Sequence, residues 1–309
     1  ITVISENPTL ISHGKKQIKQ KSLKKQSRNK GTDKMFKIIE KNILNGSVTQ
    51  LKIEAPFIAK KVKAGQFVIV RIDEKGERIP LTVSDFDREN GTVTIVVQAI
   101  GFTTKKLVSL NAGDYIKDVV GPLGCPTEFG TPKKAIIIGG GVGCAIAYPQ
   151  AKALHNMGVH TEMIAGFRSK DIVILEDEMK SVCDKLYITT DDGSYGEKGF
   201  VTDVLKRLLE TKEYDLVIAI GPVVMMKFVS LTTKPYGVKT IVSLNPIMID
   251  GTGMCGGCRV SVGGETKFAC VDGPDFDGHL VDFDELIRRN GFYKEEEAHA
   301  CRLGVKNNG

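Results

Sequence analysis

The sequence of 309 residues predicts an α+β multidomain protein with an antiparallel β-barrel, an α/β domain containing a parallel sheet, and a small C-terminal region. Three observations predict this fold class. Residues from Met35 to about Ile116 form short β-rich runs separated by Gly, Asn and Asp. After a turn-rich boundary at 121–134, apolar runs alternate with helical patterns, which is typical of a parallel sheet covered on both faces. The block 245–309 is rich in Gly, Cys and Asp and has little periodicity.

The region boundaries follow changes in composition. Residues 1–34 are expected to be a disordered basic extension, because they lack periodicity and are dominated by Lys and Arg. The barrel is predicted over 35–130, the α/β domain over 131–244 and the last region over 245–309. Because the extension carries most of the basic excess, the net charge of +6 does not indicate a nucleic-acid-binding face on the folded part.

Composition also bears on the cellular setting. No apolar run approaches the roughly 20 residues that a membrane-spanning helix needs, and no secretory signal is visible. The sequence has 7 cysteines, an odd number, and several of them are scattered rather than arranged as a disulfide framework. We therefore expect a reducing, cytoplasmic protein without a membrane span.

Two motifs in the predicted barrel are candidates for ligand binding. The run "RIPLTVSD" puts Arg78 near Leu81 and Thr82. The run "GFTTKKL" begins at Gly101 and offers a glycine and two hydroxyls at a predicted helix start, where a diphosphate would be favoured. Taken alone, each motif is better explained as an ordinary strand arginine or an ordinary helix N-cap.

The α/β domain opens with a buried strand that runs into a glycine turn. In "AIIIGGGVG", the glycines at 139, 140, 141 and 143 precede a predicted helix, an arrangement that lets backbone N–H groups approach a pyrophosphate. The spacing departs from G-x-G-x-x-G, and a tight turn without a ligand is the alternative. Later strands end at Arg168, at Asp191 and Asp192, and at Gly221, where open α/β sheets bind ligands.

The remaining elements of this domain alternate regularly. Helices are predicted at "AIAYPQAKALHNMG", where Pro149 is an unfavourable residue, and at "LEDEMKSVC", "FVTDVLKRLLE" and "VVMMKFVSLT"; strands are predicted at "HTEMIAGFRS", "KLYITTDDGS", "YDLVIAIG" and "VKTIVSL".

The C-terminal region holds a C-x2-C-x11-C array made of Cys255, Cys258 and Cys270. Such an array suggests an iron–sulfur cluster, a structural zinc ion or a thiol–disulfide pair. Plant-type 2Fe-2S sites have the spacing C-x4-C-x2-C…C, and counting back from Cys255 by that rule leads to Asp250. The competing fourth ligand is Cys301, which is chemically the softer donor. We favour Asp250 because of its spacing.

The order of these motifs resembles the ferredoxin–NADP reductase superfamily: R-x-P-L-T and G-x-x-T in a barrel, then "GPLG", then "GGGVG" in an α/β domain. With the cysteine array, residues from about 35 to 309 look like the small, flavin-containing subunit of NADH-dependent reduced ferredoxin:NADP oxidoreductases. That group overlaps with proteins called sulfide dehydrogenase or ferredoxin–NADP reductase subunits. The chain is also similar to the electron-transfer subunit of dihydroorotate dehydrogenase.

The resemblance implies FAD in the barrel, NAD(H) on the α/β domain and a 2Fe-2S cluster in the last region. NADP(H) is also possible as the dinucleotide, because Arg168 could bind its additional phosphate. Arg78 would lie at the flavin diphosphate, with Leu81 and Thr82 near the isoalloxazine, although many relatives have R-x-Y-S here. The implied cofactor-binding residues are Arg78, Pro80, Leu81, Thr82, Gln98, Gly101, Thr103, Thr104, Gly121, Pro122, Leu123, Gly124, Gly140, Gly141, Gly143, Gly166, Arg168, Asp191, Asp192, Gly193 and Gly221. The implied cluster ligands are Asp250, Cys255, Cys258 and Cys270, since relatives of the first group carry aspartate where the dihydroorotate dehydrogenase subunits carry cysteine.

The expected function is electron transfer between NAD(H), FAD and the cluster, and onward to a larger partner subunit with a second flavin and 4Fe-4S clusters. The resemblance implies that the assembly couples NADH, NADPH and ferredoxin by electron bifurcation. Hydride transfer to a flavin needs no general acid or base, so no catalytic side chain is expected. The alternatives are an electron-transfer subunit of a dihydroorotate or sulfide dehydrogenase and, in another class, a zinc-stabilised nucleotide-binding scaffold.

Overall fold

A computed structural model of the chain describes residues 35–293, 295–296, 298–299 and 302. The predicted extension over 1–34 and Cys301 lie outside the described residues. An antiparallel barrel comes first, a mostly parallel sheet follows, and a short cysteine-containing segment packs against both. The predicted fold class is confirmed by this arrangement and by the comparisons given below.

The barrel is a seven-stranded antiparallel sheet with strand order β6-β1-β2-β5-β4-β3-β7. Its edge strands β6 and β7 are separated by one residue along the chain, so the sheet nearly closes. Alternate side chains from its strands fill one apolar core that includes Ile38, Leu51 and Ile95. The strands and helices are β1 (Phe36–Ile43), β2 (Val48–Glu54), α1 (Pro56–Ala59), β3 (Phe67–Arg71), β4 (Ile79–Asp87), β5 (Thr92–Gln98), α2 (Phe102–Ser109), β6 (Tyr115–Ile116) and β7 (Asp118–Leu123).

The second sheet has the order β11-β10-β9-β8-β12-β13-β16 and is parallel except at its last strand. Helix α3 packs on one face, and α5 and α6 pack together on the other, so the inner strands are buried on both sides. The elements are β8 (Lys134–Gly140), α3 (Cys144–Asn156), β9 (His160–Phe167), α4 (Glu176–Lys180), β10 (Lys185–Thr190), β11 (Glu197–Lys198), α5 (Val201–Thr211), β12 (Leu216–Ile220), α6 (Val223–Thr233) and β13 (Lys239–Ser243). Pro149 lies inside α3, which continues past it.

The C-terminal segment contributes a hairpin, an edge strand and a helix. These are β14 (Arg259–Val262), β15 (Glu265–Phe268), β16 (Asp275–Asp277) and α7 (Phe283–Arg289). Strand β16 pairs antiparallel with β13, so this segment completes the edge of the parallel sheet. No helix among the described residues is both long and apolar enough to cross a membrane.

Candidate functional site

A large cleft runs between the barrel and the carboxyl edge of the parallel sheet. Its volume is about 1340 Å³, larger than the roughly 300–1,000 Å³ of a typical small-ligand site, which suits a dinucleotide. The barrel contributes β4, β5 and the start of β3, and the sheet contributes the turns after β8, β9, β10, β12 and β13. Ligands of open α/β sheets bind at this edge.

About half of the predicted cofactor-binding residues line this cleft. They are Pro80, Thr82, Gln98, Gly140, Gly141, Gly143, Gly166, Arg168, Asp191 and Gly221. The structure therefore brings together the barrel motif and the glycine turn, which lie far apart in sequence. The predicted residues outside the lining are Arg78, Leu81, Gly101, Thr103, Thr104, Gly121, Pro122, Leu123, Gly124, Asp192 and Gly193.

Strand alternation separates the residues of the barrel motif. Pro80 and Thr82 face the cleft, and Leu81 between them points to the other side of β4 and packs against the barrel core. Arg78 is also absent from the lining of the cleft, and its Nη2 donates to the backbone carbonyl of Asp250 at 3.3 Å. The expected positions of Arg78 and Leu81 beside the flavin stay predictions, and in this structure Arg78 joins the barrel to the cysteine-containing loop.

The start of helix α2 uses both threonine hydroxyls within the protein. Thr104 Oγ1 accepts from the backbone N–H of Gly101 at 2.9 Å and of Ile100 at 3.1 Å. The Thr103 hydroxyl donates to the Glu77 carboxylate. The helix begins where the sequence predicts, and a phosphate bound there would compete with these contacts.

The glycine turn after β8 makes room for neighbours as well as for a ligand. A Cβ at Gly143 would lie 2.4 Å from the carbonyl oxygen of Ile220, so glycine lets α3 approach β12 closely. A Cβ at Gly140 would lie 2.5 Å from the sulfur of Met225. Gly141 lines the cleft with a φ of +56°, and no atom lies within 4 Å of the place that a Cβ would take. This is the position at which a phosphate can approach the backbone.

The two aspartates in the turn after β10 have different surroundings. Asp191 lines the cleft together with Arg168. The Asp192 carboxylate accepts from the hydroxyl of Ser194 at 2.6 Å and from its backbone N–H at 2.9 Å, and these bonds lower the pKa of Asp192. Asp192 thus shapes the turn, with Gly193 at a φ of +76°, and Asp191 is the one of the two aspartates that lines the cleft.

The "GPLG" segment joins the cleft to the cysteine region. Gly124 accepts through its carbonyl from Gln66 Nε2 at 2.8 Å, and a Cβ at Gly121 would lie 2.8 Å from Val68. Leu123 packs against an apolar cluster that contains Phe67, Ile69, Cys258, Ala269 and Cys270. The segment supports the walls of both sites.

Two cysteines of the array form a buried pair. The sulfurs of Cys258 and Cys270 lie 3.2 Å apart, and Cys270 Sγ accepts from the backbone N–H of Gly253 at 3.1 Å. Burial raises the pKa of the Cys270 thiol to about 12. Cys255 is exposed and accepts from the backbone N–H of Gly257 at 3.4 Å, which lowers its pKa. Backbone N–H groups thus point at two of the three thiols, and such donors tune a bound cluster.

Asp250 lies beside Cys255. Its Oδ2 accepts from the hydroxyl and the backbone N–H of Thr252, and these contacts lower the pKa of Asp250 and keep it ionised. Among the described residues, no three His, Cys, Asp or Glu side chains converge on a point that one metal ion could occupy. A 2Fe-2S cluster differs because each of its two irons takes two protein ligands. Three thiols, one carboxylate and several N–H donors therefore fit a two-iron cluster better than a zinc ion.

Several cleft residues were missed by the sequence analysis. Three exposed apolar residues also line the cleft: Phe200, which caps the start of α5, and Val224 and Phe228 on α6. Phe67, Ser243 and Pro274 form its inner wall. Position at a strand end could have indicated Ser243, but no local pattern marks the aromatic residues.

Comparisons with known proteins agree with this site. Residues 245–282 match the iron–sulfur cluster binding domain of dihydroorotate dehydrogenase B. The homologue of the dihydroorotate dehydrogenase B (NAD(+)) electron transfer subunit from Thermotoga maritima is 48% identical over 267 residues, which is 86% of this chain and 94% of that protein. An uncharacterised protein encoded in the adh 3′ region of Clostridium beijerinckii is 54% identical over 275 residues, 86% of this chain and 93% of that protein.

Solved structures extend the comparison. A structure of the NADH-dependent reduced ferredoxin–NADP oxidoreductase, studied for flavin-based electron bifurcation, matches with a TM-score of 0.84 and 46% identity over 89% of this chain and 99% of that chain. The cytochrome b5 reductase domain of Ulva prolifera nitrate reductase matches with a TM-score of 0.56 and 19% identity over 67% of this chain and 94% of that chain, a likeness of fold alone.

Fold and site define a flavin and iron–sulfur oxidoreductase subunit of the ferredoxin–NADP reductase type. The chain belongs to the family of the dihydroorotate dehydrogenase B electron transfer subunits and their homologues. Its cofactors are FAD, a 2Fe-2S cluster and NAD(H). As an electron-transfer subunit, it works with a partner subunit.

Proposed function

We propose that the chain passes electrons between NAD(H), FAD and its 2Fe-2S cluster, and from there to a larger subunit of an assembly that couples NADH, NADPH and ferredoxin by electron bifurcation. The observation that carries this proposal is that the cofactor cleft and the cysteine pair have one wall residue in common. Phe67 lines the cofactor cleft and also packs in the same apolar cluster as Cys258 and Cys270. One side chain therefore lies between the cleft and the cysteine pair, an arrangement suited to electron transfer between them.

We assign the cluster ligands in two pairs. Cys258 and Cys270, whose sulfurs are 3.2 Å apart, would hold one iron, and Asp250 and Cys255 would hold the other. The N–H groups of Gly253 and Gly257 already point at two of these sulfurs and would tune the potential of the cluster.

The remaining assignments concern the cleft. FAD supplies the conversion of a hydride into single electrons when it is bound. We propose that Pro80, Thr82 and Gln98 contact the flavin from the barrel side. The glycine turn, Arg168 and Asp191 would hold the dinucleotide on the sheet side, with Phe200 and Phe228 as apolar flanks. The two sets face one cleft, so the chain itself can orient the two ligands and exclude water between them.

The partner and the setting are also proposals. The likeness to the NADH-dependent reduced ferredoxin–NADP oxidoreductase supports a partner that carries a second flavin and 4Fe-4S clusters. An electron-transfer subunit of a dihydroorotate or sulfide dehydrogenase is the second candidate, supported by relatives such as the 35% identical subunit from Fusobacterium nucleatum. Asp250 argues against the dihydroorotate version, since the resemblance implies cysteine there. Free cysteines in the described residues support a reducing, cytoplasmic setting.

Anaerobic titration tests the proposed function. The purified complex, loaded with its cofactors, should bleach on addition of NADH and develop the EPR signal of a reduced 2Fe-2S cluster. Co-purification of the native complex should recover a larger subunit, and its cofactor content and response to NADPH and ferredoxin would identify the assembly. A colourless protein that contains zinc would contradict the proposal, and a partner active on dihydroorotate would favour the second candidate.

Substitution of Asp250 tests the fourth ligand. We expect Asp250→Cys to retain the cluster and to raise its midpoint potential. The hard carboxylate oxygen stabilises the ferric state, and a thiolate, which is a softer donor, stabilises that state less. Asp250→Ala should lower the iron content. EPR-monitored redox titration measures both effects, and Asp272→Ala is the control on the same segment. If both Asp250→Cys and Asp250→Ala had the EPR spectrum and midpoint potential of the wild type, Asp250 would not be the fourth ligand. Cys301 would then be the first residue to test.

A further inference from the structure

A half-buried aspartate, Asp275, lies directly behind the wall of the cleft, and its Oδ1 atom is fully buried. Asp275 on β16 is paired with Ser243 on β13 across the antiparallel ladder. Ser243 and Pro274 both line the cleft, so the carboxyl is one residue removed from it. This carboxyl has no role in the ligand contacts assigned above.

The surroundings of Asp275 are polar and uncharged. Its Oδ2 accepts from the Thr127 hydroxyl and from Gln150 Nε2 at 3.3 Å, and the Ser243 hydroxyl also faces it. Gly65, at a φ of +88°, closes over the group, since a Cβ there would lie 3.0 Å from Asp275 Oδ2. Barrel, connecting segment, helix α3 and sheet thus meet at this carboxyl.

Among the described residues, no cation balances a charge on Asp275. It is absent from their ion pairs. The charged or titratable residues on the elements packed around it have other partners or lie toward the surface, and none bonds to it: Lys61, Lys63, Cys125, Glu128, Tyr148, Lys152, His155, Lys239, Asp272 and Asp277. Burial accordingly raises the pKa of Asp275.

Two buried oxygens at this site have no hydrogen-bond partner. They are Oδ1 of Asp275 and Oε1 of Gln150, and both are acceptors when the carboxyl is ionised. If the Asp275 carboxyl is protonated, its O–H group becomes a hydrogen-bond donor. The ionised carboxylate offers no donor to these two oxygens. An uncharged acid is therefore the form that these surroundings accommodate.

We propose that Asp275 is a redox-linked protonation site, which holds a proton while the cofactors of the adjoining cleft are reduced and returns it to solvent when they are oxidised. The proposal rests on the proposed function, because it requires electrons to enter the cleft. The two electrons reach the flavin from NADH as a hydride, and Asp275 takes one proton from solvent for each such pair of electrons and releases it on reoxidation, so nothing else is consumed. Asp275 would act on the cofactors through its charge and not through contact with them, so it is a positioning residue.

Potentiometry of the flavin-loaded complex at a series of pH values tests this proposal. Asp275→Asn keeps the shape of the uncharged acid. The variant and the wild type should therefore share one FAD midpoint potential at low pH and diverge as the pH rises, with the wild type lower. Within the divergent window the wild type should show an extra slope of about 30 mV per pH unit, one proton per two electrons. Asp277→Asn, an exposed carboxylate on the same strand, is the matched control and should follow the wild type.

Two further measurements test the protonation of Asp275 independently of the Asp275→Asn potentials. Ser243→Ala removes a hydrogen bond that favours the ionised carboxyl, so the divergent window should move to higher pH, and this test holds even if Asp275→Asn fails to fold. The unfolding of the apoprotein provides a readout without cofactors. Since the folded pKa lies above the unfolded value, wild-type stability should fall as the pH rises from about 4 toward the folded pKa, and Asp275→Asn should lack this loss.

The outcomes separate the proposals. Parallel potential curves for Asp275→Asn and the wild type, or a window unmoved in Ser243→Ala, would overturn the redox linkage and leave the proposed function intact. A complex that binds no FAD or is not reduced by NADH would contradict the proposed function and the linkage together.

Discussion

Cys258→Ala is expected to abolish the 2Fe-2S cluster. Cys258 is 1% exposed, and its sulfur lies 3.2 Å from that of Cys270, so no other described thiol can take its place without rearrangement of the buried loop. The variant should lose nearly all cluster iron and its EPR signal. NADH should still bleach the flavin, because the cleft does not depend on this side chain. Iron analysis and EPR of the reduced complex measure the first effect, and stopped-flow absorbance measures the second.

Cys125→Ala is the matched control for this variant. Cys125 is also a free cysteine near the cluster loop, where its thiol donates to the carbonyl of Val271 at 3.1 Å, but it is exposed and lies outside the array. It should keep the wild-type iron content. If Cys258→Ala retained the EPR signal while Cys125→Ala lost it, the ligand assignment would have to be abandoned.

Gly143→Ala is expected to destabilise the protein and to weaken NAD(H) binding. The new Cβ would lie 2.4 Å from the backbone carbonyl of Ile220 and 2.9 Å from Gly221, and neither can move without displacing β12. Forcing a methyl group into packed structure typically costs about 1–3 kcal/mol. The shift also moves the glycine turn at the cleft, so the KM for NADH should rise. Thermal unfolding and NADH kinetics check the two effects.

Gly46→Ala provides the comparison for Gly143→Ala. Gly46 has no atom within 4 Å of a Cβ and no left-handed φ, so the same chemical change should leave both the melting temperature and the KM close to those of the wild type. An unaltered melting temperature in Gly143→Ala would show that α3 and β12 are not packed as closely as described here.

Local patterns predicted the elements and their order because each pattern is a property of neighbouring residues. The apolar run before the glycine turn became β8, and the apolar face of "FVTDVLKRLLE" became α5. The four-residue helix α1 escaped prediction, because so short an element has little periodicity. Alternation along β4 could also have separated Leu81, which packs against the barrel core, from Pro80 and Thr82, which line the cleft.

Contacts between distant segments could not be predicted in the same way. One such contact is the bond from Arg78 to the backbone of Asp250, 172 positions away in sequence. Phe200 and Phe228 belong to different helices, and only the packing of α5 against α6 brings both to one cleft. Their residue types carry no signal of this role, since exposed apolar residues are common on protein surfaces.

The sequence by itself determined the fold class, the glycine turn and the spacing of Asp250, Cys255 and Cys258, because backbone geometry and ligand chemistry act over a few residues. The tertiary structure alone decided that Phe67 separates the cleft from the cysteine pair, and that Asp275 lies behind Ser243 with no cation from the described residues beside it. Burial and charge balance depend on every segment that packs around a group. These segments come from the barrel, the parallel sheet and the C-terminal segment, which no local pattern links.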